Sequence, residues 1–380
     1  MENEWKHGIK YTDVMNYVVS SGLCSGCGNC VLACTVNAMD CLEYKKETPI
    51  RRNLECVECG ICFNVCSRAN IPLENEGVIE GEKPVLEIGK YKALYAARTK
   101  REDIKKIAQD GGFVTTLLLS AYENGQINSA LLSSVGEKPR KAEPKLASSA
   151  EEIMGAAGTR YTYSPNILPL IEELPTLSPY MPGKVAFVGV PCQIEALRKA
   201  QLYRVKPFER IKLVIGLLCS ESFDYEKLMK NKIEKDMGIP LNEIAKTNIK
   251  GKFCIYLKNG EVKEIPLKET KPYARKTCEF CQDFTAEGAD ISAGGIGLDG
   301  WTALVVRTDL GEEIVNKLVE NGEIEIKPLE EVKLSHDLLF KLSKIKRNKA
   351  NKAISSLSKF PIKISKHKKS IDVVKAELIR

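Results

Sequence analysis

The chain has few histidines and lacks long apolar runs. Its 380 residues include only three histidines, none of them near a group of cysteines in the sequence: His7, His336 and His367. This scarcity argues against mixed Cys/His zinc sites and against acid/base catalysis by histidine. No apolar run approaches the roughly 18 residues that span a bilayer, and the first residues lack the basic-then-apolar order of a signal peptide. We therefore expect a cytoplasmic chain without a transmembrane segment.

The net charge of +7 arises at one end of the chain. Between Lys341 and Ser370 there are eleven Lys or Arg and no Asp or Glu, so by subtraction the other residues carry about −4. Nucleic-acid binding is indicated by a basic face on a folded domain, which this distribution does not predict. We interpret the Lys-rich end as a solvated helical face or a partner-docking segment, with a phosphate- or membrane-binding arm as the alternative, and expect no nucleic-acid partner.

Cysteine is abundant, with 14 residues, of which nine lie between residues 24 and 66. Because the cytosol keeps thiols reduced, a disulfide framework is not expected. Eight of the nine form two runs with identical Cys-x2-Cys-x2-Cys-x3-Cys spacing: Cys24, Cys27, Cys30 and Cys34, then Cys56, Cys59, Cys62 and Cys66. These runs resemble a bacterial-type ferredoxin, in which the fourth cysteine of each run binds the other 4Fe-4S cluster.

The ferredoxin pattern predicts two crossed sites. The first cluster would take Cys24, Cys27, Cys30 and Cys66, and the second Cys56, Cys59, Cys62 and Cys34. Zinc knuckles favour isolated CxxC pairs instead of a repeated run of four. The proline that usually follows the fourth cysteine is replaced by Thr35 and Ser67. We expect the ninth cysteine, Cys41, to be a structural packing residue.

The remaining cysteines are dispersed. Cys192 follows one apolar run and Cys219 ends another, where strands of an α/β sheet meet their loops. Together with Cys278 and Cys281 they provide four thiolates, enough for a third 4Fe-4S cluster. The spacing equally allows a redox-active CxxC pair accompanied by two buried cysteines. Cys254 lies in a strand-like alternating pattern and is expected in the core.

Strand and helix patterns alternate after residue 90, which predicts an α/β or α+β core. We expect a two-cluster 4Fe-4S ferredoxin domain over 1–75, a linker over 76–90, the α/β domain over 91–335, and a helical Lys-rich extension over 336–380. One helix is predicted over 105–124, with Gly111 and Gly112 inside it or at its start. The glycines at 295, 297 and 300 match a dinucleotide-binding pattern, but a strand-like run follows instead of the required helix, so no NAD site is expected.

Two polar, glycine-containing segments, 109–116 and 158–165, are candidates for cofactor binding. The alternatives are a helix cap and an ordinary surface turn. Both segments belong to the domain that contains the dispersed cysteines, which favours a joint role.

Taken together, these segments resemble the family of beta subunits of coenzyme F420-reducing hydrogenase and F420-linked dehydrogenases. The matching stretches run in order from Tyr91 to about Pro361, and include residues 108–112, 157–165, 190–193, 216–219 and 278–283. The resemblance implies an α/β domain that binds FAD and F420, with the FAD between a deazaflavin site and an iron–sulfur cluster. It implies that this third cluster is bound by Cys192, Cys219, Cys278 and Cys281.

The resemblance also implies contacts with the organic cofactors. The flavin contacts would be Gln109, Asp110, Gly111, Gly112, Thr115, Thr159, Arg160, Tyr161, Ser164 and Gln193. Because the deazaflavin tail is anionic, basic residues are expected along its approach, and we assign Lys268, Arg275 and Lys276 to this role.

The implied function is to convert two-electron into one-electron transfer, because deazaflavin moves hydride, clusters move single electrons, and a flavin does both. The N-terminal ferredoxin part resembles the longer members, the F420-linked formate dehydrogenase beta subunit in first place and the F420-oxidising subunit of F420H2 dehydrogenase in second. A subunit of the F420-reducing hydrogenase type is a further alternative. The expected partner is a catalytic alpha subunit or a larger electron-transfer complex. The rivals are a flavin-free relay module and a relative serving another acceptor, such as sulfite.

Overall fold

The computed structural model describes residues 11–37, 40–52, 55–69, 83–85, 87–173 and 183–357. The helices are α1 Tyr11–Ser20, α2 Asn29–Val36, α3 Ile61–Asn64, α4 Glu102–Lys105, α5 Phe113–Glu123, α6 Ala150–Gly155, α7 Pro169–Glu173, α8 Pro191–Leu202, α9 Leu267–Thr270, α10 Asp309–Glu320 and α11 Lys333–Ser355. The strands are β1 Leu42–Lys45, β2 Thr48–Arg51, β3 Lys83–Val85, β4 Gly89–Tyr91, β5 Ala93–Thr99, β6 Ser129–Val135, β7 Ala142–Ala147, β8 Val185–Gly189, β9 Ile211–Leu217, β10 Ile244–Ile249, β11 Lys252–Leu257, β12 Val262–Pro266, β13 Ile291–Gly294, β14 Thr302–Val306 and β15 Ile324–Pro328. Within these ranges, no helix is long and apolar enough to cross a membrane.

The N-terminal part repeats one motif, a cysteine loop followed by a short helix. The helices α2 and α3 both begin directly after a left-handed glycine, Gly28 with φ 84° and Gly60 with φ 74°. The helix α2 contains Cys30 and Cys34, and α3 contains Cys62 and ends two residues before Cys66. The β1–β2 hairpin connects the two copies. Two similar runs therefore form two similar loop–helix units.

The central sheet has eight described strands in the order β15-β5-β14-β13-β9-β8-β6-β7. Its middle strands β6, β8, β9 and β13 pair in parallel, and the flanking strands pair antiparallel. Because successive side chains of a strand point to opposite faces, Leu131, Phe187 and Val214 pack on one face while Leu132, Val188 and Leu213 pack on the other. The mixed α/β core expected from the sequence is confirmed.

The two faces of the sheet have different covers. Helices α5 and α10 pack on one face through residues such as Leu117 and Ile314. On the other face, α8 shares its apolar core with the N-terminal part, including Val14 and Leu32. The ferredoxin-like part therefore packs directly against the sheet.

The expected helix over 105–124 is interrupted. The short α4 ends at Lys105, and α5 begins only at Phe113, after Gly112 with φ 73°. A Cβ atom on Gly111 would collide with the carbonyl oxygen of Ala97, so the chain passes too close to the sheet for a continuous helix. The glycine pair leaves a loop at the edge of the sheet.

A smaller antiparallel sheet, β10-β11-β12, has its own core around Phe223, Leu228 and Phe253. A π-helix, Tyr225–Asp236, packs beside it. Cys254 is buried in β11, as the sequence predicted.

The C-terminal helix α11 lies against the protein. Leu339 is fully buried, the Lys346 ammonium donates to the carbonyl of Cys219, and Arg347 forms an ion pair with Glu287. The interpretation of this basic segment as a solvated or partner-docking face is therefore wrong for these inward-facing residues. The rest of the Lys-rich segment, 358–380, lies outside the described residues.

Candidate functional site

The first cysteine set, Cys24, Cys27, Cys30 and Cys66, comes together between the two loop–helix units. Burial, and next the neighbouring Cys66 thiol, raise the pKa of Cys24 to about 11 and that of Cys27 to about 12. Cys30 is buried beside the thiols of Cys27, Cys24 and Cys66, which also raise its pKa. The fourth cysteine of the second run thus lies among the first three of the first run.

The second cysteine set, Cys56, Cys59, Cys62 and Cys34, shows the reciprocal arrangement. Burial raises the pKa of Cys62 to about 12, and the thiols of Cys59, Cys34 and Cys56 are among its neighbours. Cys59 is exposed. Cys41 is buried as expected, and its backbone N–H donates to the sulfur of Cys34 over 3.3 Å. Cys41 therefore supports this set through its backbone.

The third cysteine set, Cys192, Cys219, Cys278 and Cys281, lines one pocket. Cys192 lies in the first turn of α8, directly after β8, and Cys219 follows β9. Because β8 and β9 are parallel neighbours, their carboxyl ends bring both thiols to the same edge. The other two cysteines come from a short 3-10 turn, Lys276–Phe280, and the residue after it. Sequence positions nearly 90 residues apart therefore meet here.

This pocket has the donor groups and charges that an anionic cluster requires. Burial raises the pKa of Cys219 to about 12, and the backbone N–H of Ser222 donates to the sulfur of Cys278 over 3.4 Å. The pocket is also lined by the cationic side chains of Arg68, Arg275 and Lys346. Arg68 Nε and the Tyr163 hydroxyl, both buried, have no hydrogen-bond partner among the described residues. Four thiols, unused donors and positive charge fit a 4Fe-4S cluster.

None of the cysteine sets is arranged for a single ion. Among the described residues, no three His, Cys, Asp or Glu side chains are placed to hold one metal ion together. A 4Fe-4S cluster needs a wider arrangement, because each of its thiolates binds a different iron atom.

The three sets are neighbours. Cys30 and Cys62, of the first and second sets, lie close enough for the Cys62 thiol to raise the pKa of Cys30. Tyr163 is buried beside both Cys192 of the third set and Cys27 of the first set. The order in space is therefore second, first, third.

The two polar glycine-containing segments also meet. Gln109 Nε2 donates to the carbonyl of Thr247 over 2.9 Å, and Gln109 Oε1 accepts from the backbone N–H of Thr159 over 3.4 Å. Asn248 connects them a second time, because its side chain accepts from the Tyr161 hydroxyl over 3.2 Å and donates to Asp110 over 3.5 Å. A Cβ atom on Gly158, where φ is 90°, would have no described atom within 4 Å. Backbone of the second segment thus borders open space at Gly158, whereas Gly111 of the first segment is packed against Ala97.

Some of the predicted flavin contacts are engaged within the protein. Arg160 donates to the carbonyls of Ser133, Ala156 and Gly158, and burial lowers its pKa to about 10. Gln193 donates to the carbonyl of Ser164 over 2.6 Å and accepts from Val190 N–H over 3.0 Å. Both side chains shape the loops. The Ser164 hydroxyl and Arg160 Nε are buried without a hydrogen-bond partner in the described part of the chain, and so stay available to a cofactor.

The remaining predicted residues differ in exposure. Thr115 is half-buried in the first turn of α5, and Gly111 and Gly112 form the turn before it. Lys268 and Lys276 are exposed, but Arg275 is nearly buried against the Tyr163 ring. Arg275 therefore lies between the first and third cysteine sets and does not lie with the two lysines along an open approach.

Sequence reasoning missed Arg68, Tyr163 and Lys346. Arg68 follows the last ferredoxin cysteine by two residues, and Tyr163 lies inside a segment already singled out, so both had a local signal. Lys346 had none, because its place in the pocket depends on how α11 packs.

Models of protein families match most of this architecture. The N-terminal model of "Coenzyme F420 hydrogenase/dehydrogenase, beta subunit" matches residues 94–170, and the C-terminal model matches residues 183–332. The chain belongs to the family of coenzyme F420 hydrogenase/dehydrogenase beta subunits. Residues 17–40 also match a 4Fe-4S binding domain. The ferredoxin-type start and the family core therefore coexist in one chain.

Characterised relatives agree with this family. The coenzyme F420 hydrogenase subunit beta of Methanothermobacter thermautotrophicus is 41% identical over 71% of this chain and 96% of its own length. An F420H2 dehydrogenase component of Methanosarcina mazei is 33% identical over 87% of this chain and 91% of its own. Family members are subunits of F420-dependent oxidoreductases. The F420-dependent formate dehydrogenase subunit beta of Methanocaldococcus jannaschii is more distant, 27% identical over 59% of each chain.

A solved structure shares the fold. A chain of the F420-reducing [NiFe] hydrogenase complex from Methanosarcina barkeri superimposes with a TM-score of 0.68 at 39% identity, covering 72% of this chain and 94% of its own. The family fold expected from the sequence is thereby confirmed.

Proposed function

We propose that this chain is the F420-linked beta subunit of a larger oxidoreductase. It would exchange hydride between coenzyme F420 and FAD, and pass single electrons through three 4Fe-4S clusters to or from a catalytic partner subunit. The third cysteine set, at one edge of the sheet, is the observation that carries this proposal. The segment 158–165 reaches from the open space beside Gly158 to Tyr163 in the wall of that pocket.

The proposed roles of the residues follow from their positions. Bound FAD supplies the ability to exchange hydride with one partner and single electrons with another. Gln109, Thr159 and Tyr161 hold the two glycine-containing segments together at the proposed flavin site. The three cysteine sets would hold the clusters, and the cysteines of the first and third sets are buried or half-buried. The exposed Cys59 makes the second set the natural exit toward a partner.

The partner enzyme remains a choice among three. The sequence favoured formate dehydrogenase. The relatives favour a hydrogenase or F420H2 dehydrogenase complex, because the Methanosarcina mazei component of the latter matches across 87% of this chain. We therefore propose a partner of the F420H2 dehydrogenase kind first. The identity of the partner does not alter the proposed chemistry of this subunit.

The test is anaerobic mixing of the FAD- and iron-loaded protein with reduced F420, beside an NADH control. We expect reduced F420, but not NADH, to bleach both the flavin and the cluster absorbance. Bleaching by NADH would contradict the F420 assignment, and so would bleaching by dithionite when neither donor acts. If the protein takes up no flavin when reconstituted, the flavin-free relay is correct.

A pair of cysteine variants sharpens the experiment. In C278A, flavin bleaching should persist while cluster bleaching slows at least about tenfold, because the third set is the proposed link between flavin and the other clusters. C254A is the matched control, since Cys254 is a buried cysteine outside all three sets, and it should behave as the wild type. Equal effects of the two variants would remove the third set from the pathway.

A further inference from the structure

Two arginines belong at once to the first and the third cysteine sets. Arg68 follows Cys66 by two residues, and its backbone N–H donates to the sulfur of Cys66 over 3.4 Å. Its guanidinium lines the pocket of the third set, donates to the carbonyl of Phe280 over 3.1 Å, and lies within hydrogen-bonding reach of Cys281. The backbone of Arg68 thus serves one set, and its side chain serves the other.

Arg275 also connects the first and third sets, but its backbone lies with the third set and its side chain with the first. It precedes Cys278 by three residues, and its carbonyl accepts from the Cys278 backbone N–H over 3.0 Å. Its guanidinium reaches into the first set, donates to the carbonyl of Ser25 over 2.9 Å, and lies 4.0 Å from the Tyr163 ring centre. The side chain is only 10% exposed. A carboxylate lies close to it, Glu47 at 3.3 Å, just as the carboxylate of Glu195 lies near Arg68.

Two lysines each donate to the carbonyl of a cysteine in one set, and Lys199 also pairs with Glu195 at 3.7 Å. The Lys346 ammonium donates to the carbonyl of Cys219, in the third set. The Lys199 ammonium, with a side chain 2% exposed, donates to the carbonyl of Cys66 over 3.1 Å, in the first set. These lysines provide an internal comparison for the arginines.

The sign of the electrostatic effect is fixed. Reduction adds one negative charge to a cluster that is already anionic, and a nearby buried cation stabilises the reduced form, which raises the reduction potential. A cation placed between two clusters acts on both. A cation beside one cluster acts mainly on that one, because the interaction falls with distance.

We propose that Arg68 and Arg275 are positioning residues that raise the reduction potentials of the first and third clusters together and so keep them matched for electron transfer in either direction. The inference rests on the proposed function, since it needs both clusters. A nearby carboxylate offsets part of the charge of each arginine, Glu195 for Arg68 and Glu47 for Arg275. The second cluster, which neither arginine contacts, is independent of both.

The experiment is a potentiometric titration of the fully loaded wild type and its variants, followed by electron paramagnetic resonance. Each signal is assigned by its loss in one cysteine variant for each set: C27A, C59A and C278A. We expect R68Q to weaken reduction of both the first and third clusters about tenfold, a downward shift of about 59 mV for a one-electron couple. R275Q lowers both potentials as well. K346Q lowers the third potential alone, and K199Q lowers the first alone.

Rescue separates charge from packing. R68K retains the positive charge and should restore most of both potentials, which a merely structural role for Arg68 would not require. If R68Q fails to take up its clusters, R275Q and R68K carry the same test. A shift confined to one cluster in the arginine variants, or no shift, overturns the inference while the proposed function stands. Iron analysis showing no third cluster in the wild type overturns both, and is visible before any variant is made.

Discussion

At the scale of single residues, burial places acidic and basic groups where their charge affects stability. Glu287 is paired with Arg347 of α11, and burial, followed by the nearby Asp283, raises its pKa from 4.5 to about 7. A carboxyl group with a raised pKa binds its proton more tightly in the folded than in the unfolded state. Between pH 4.5 and about pH 7 the folded protein therefore binds more protons than the unfolded chain, and its stability falls as the pH rises.

The variant E287Q removes this titration. We expect its melting temperature to vary less than that of the wild type between pH 4.5 and 7. In the free energy of unfolding, the difference between the two proteins changes by at most about 3 kcal/mol across this interval. Anaerobic calorimetry at several pH values measures it. E330Q is the control, because Glu330 is exposed, and it should follow the wild type. A slope in E287Q as steep as that of the wild type would contradict the assignment.

The residue scale also shows what the sequence could and could not predict. Cysteine spacing in the first 66 residues is local, so the crossed grouping of thiols could be predicted and the structure brings those thiols together. Arg160 has the residue type of a phosphate ligand, yet its guanidinium is engaged by backbone carbonyls. Which partner a buried guanidinium finds depends on tertiary packing, and no local pattern encodes it. That the cysteines bind clusters, and that Gln109 to Ser164 contact flavin, stay predictions.

At the scale of elements, the cysteine loops depend on glycines that enter helices from the left-handed region. Gly28 precedes α2 with φ 84°, and a Cβ atom there would lie 2.6 Å from Leu168 Cδ2. G28A therefore combines backbone strain with a clash, and we expect a loss of about 2–4 kcal/mol together with loss of iron from the first set. Unfolding curves and iron analysis measure both effects.

Two other glycines separate the cost of backbone strain from the cost of the steric clash. Gly125 has φ 65° but no described atom within 4 Å of its added Cβ, so G125A reports backbone strain alone, about 1 kcal/mol. Gly155, in α6, has neither a left-handed φ nor a described neighbour within that distance, and G155A should be neutral or slightly stabilising. Equal costs for G28A and G125A would show that contact with Leu168 is unimportant.

Element boundaries were less predictable than element types. The sequence indicated strands near β8, β9 and β14, because continuous apolar runs mark buried strands. It did not show that α5 starts after Gly112, since the break is caused by the close approach to Ala97. It also misjudged α11, whose lysines looked solvated although Lys346 faces the third cysteine set.

At the scale of the whole molecule, the ferredoxin-like part and the sheet form one apolar core. Val18 of α1, Leu32 of α2 and Phe187 of β8 belong to the same buried cluster. The Arg275 and Lys199 side chains bond across the same junction. The predicted boundary at 75 lies outside the described residues, and the predicted boundary at 90 stays a prediction. The shared core nevertheless implies that the two parts lose their structure together.

Cooperative melting tests this implication. On anaerobic heating, loss of iron–sulfur absorbance and loss of ellipticity should share one midpoint, because either part exposes the common core when it opens. The variants V18A, in the ferredoxin-like part, and L118A, on the opposite face of the sheet, should each lower the midpoints of both signals in parallel. The expected loss of unfolding free energy is about 2 kcal/mol for V18A and about 2–5 kcal/mol for L118A. An independent ferredoxin module would behave differently, since V18A would then lower only the midpoint of the absorbance loss, and L118A only the midpoint of the ellipticity loss. Parallel shifts would mean that the first and third cysteine sets are held at a fixed separation by packing, which is the condition under which two shared arginines can act on both.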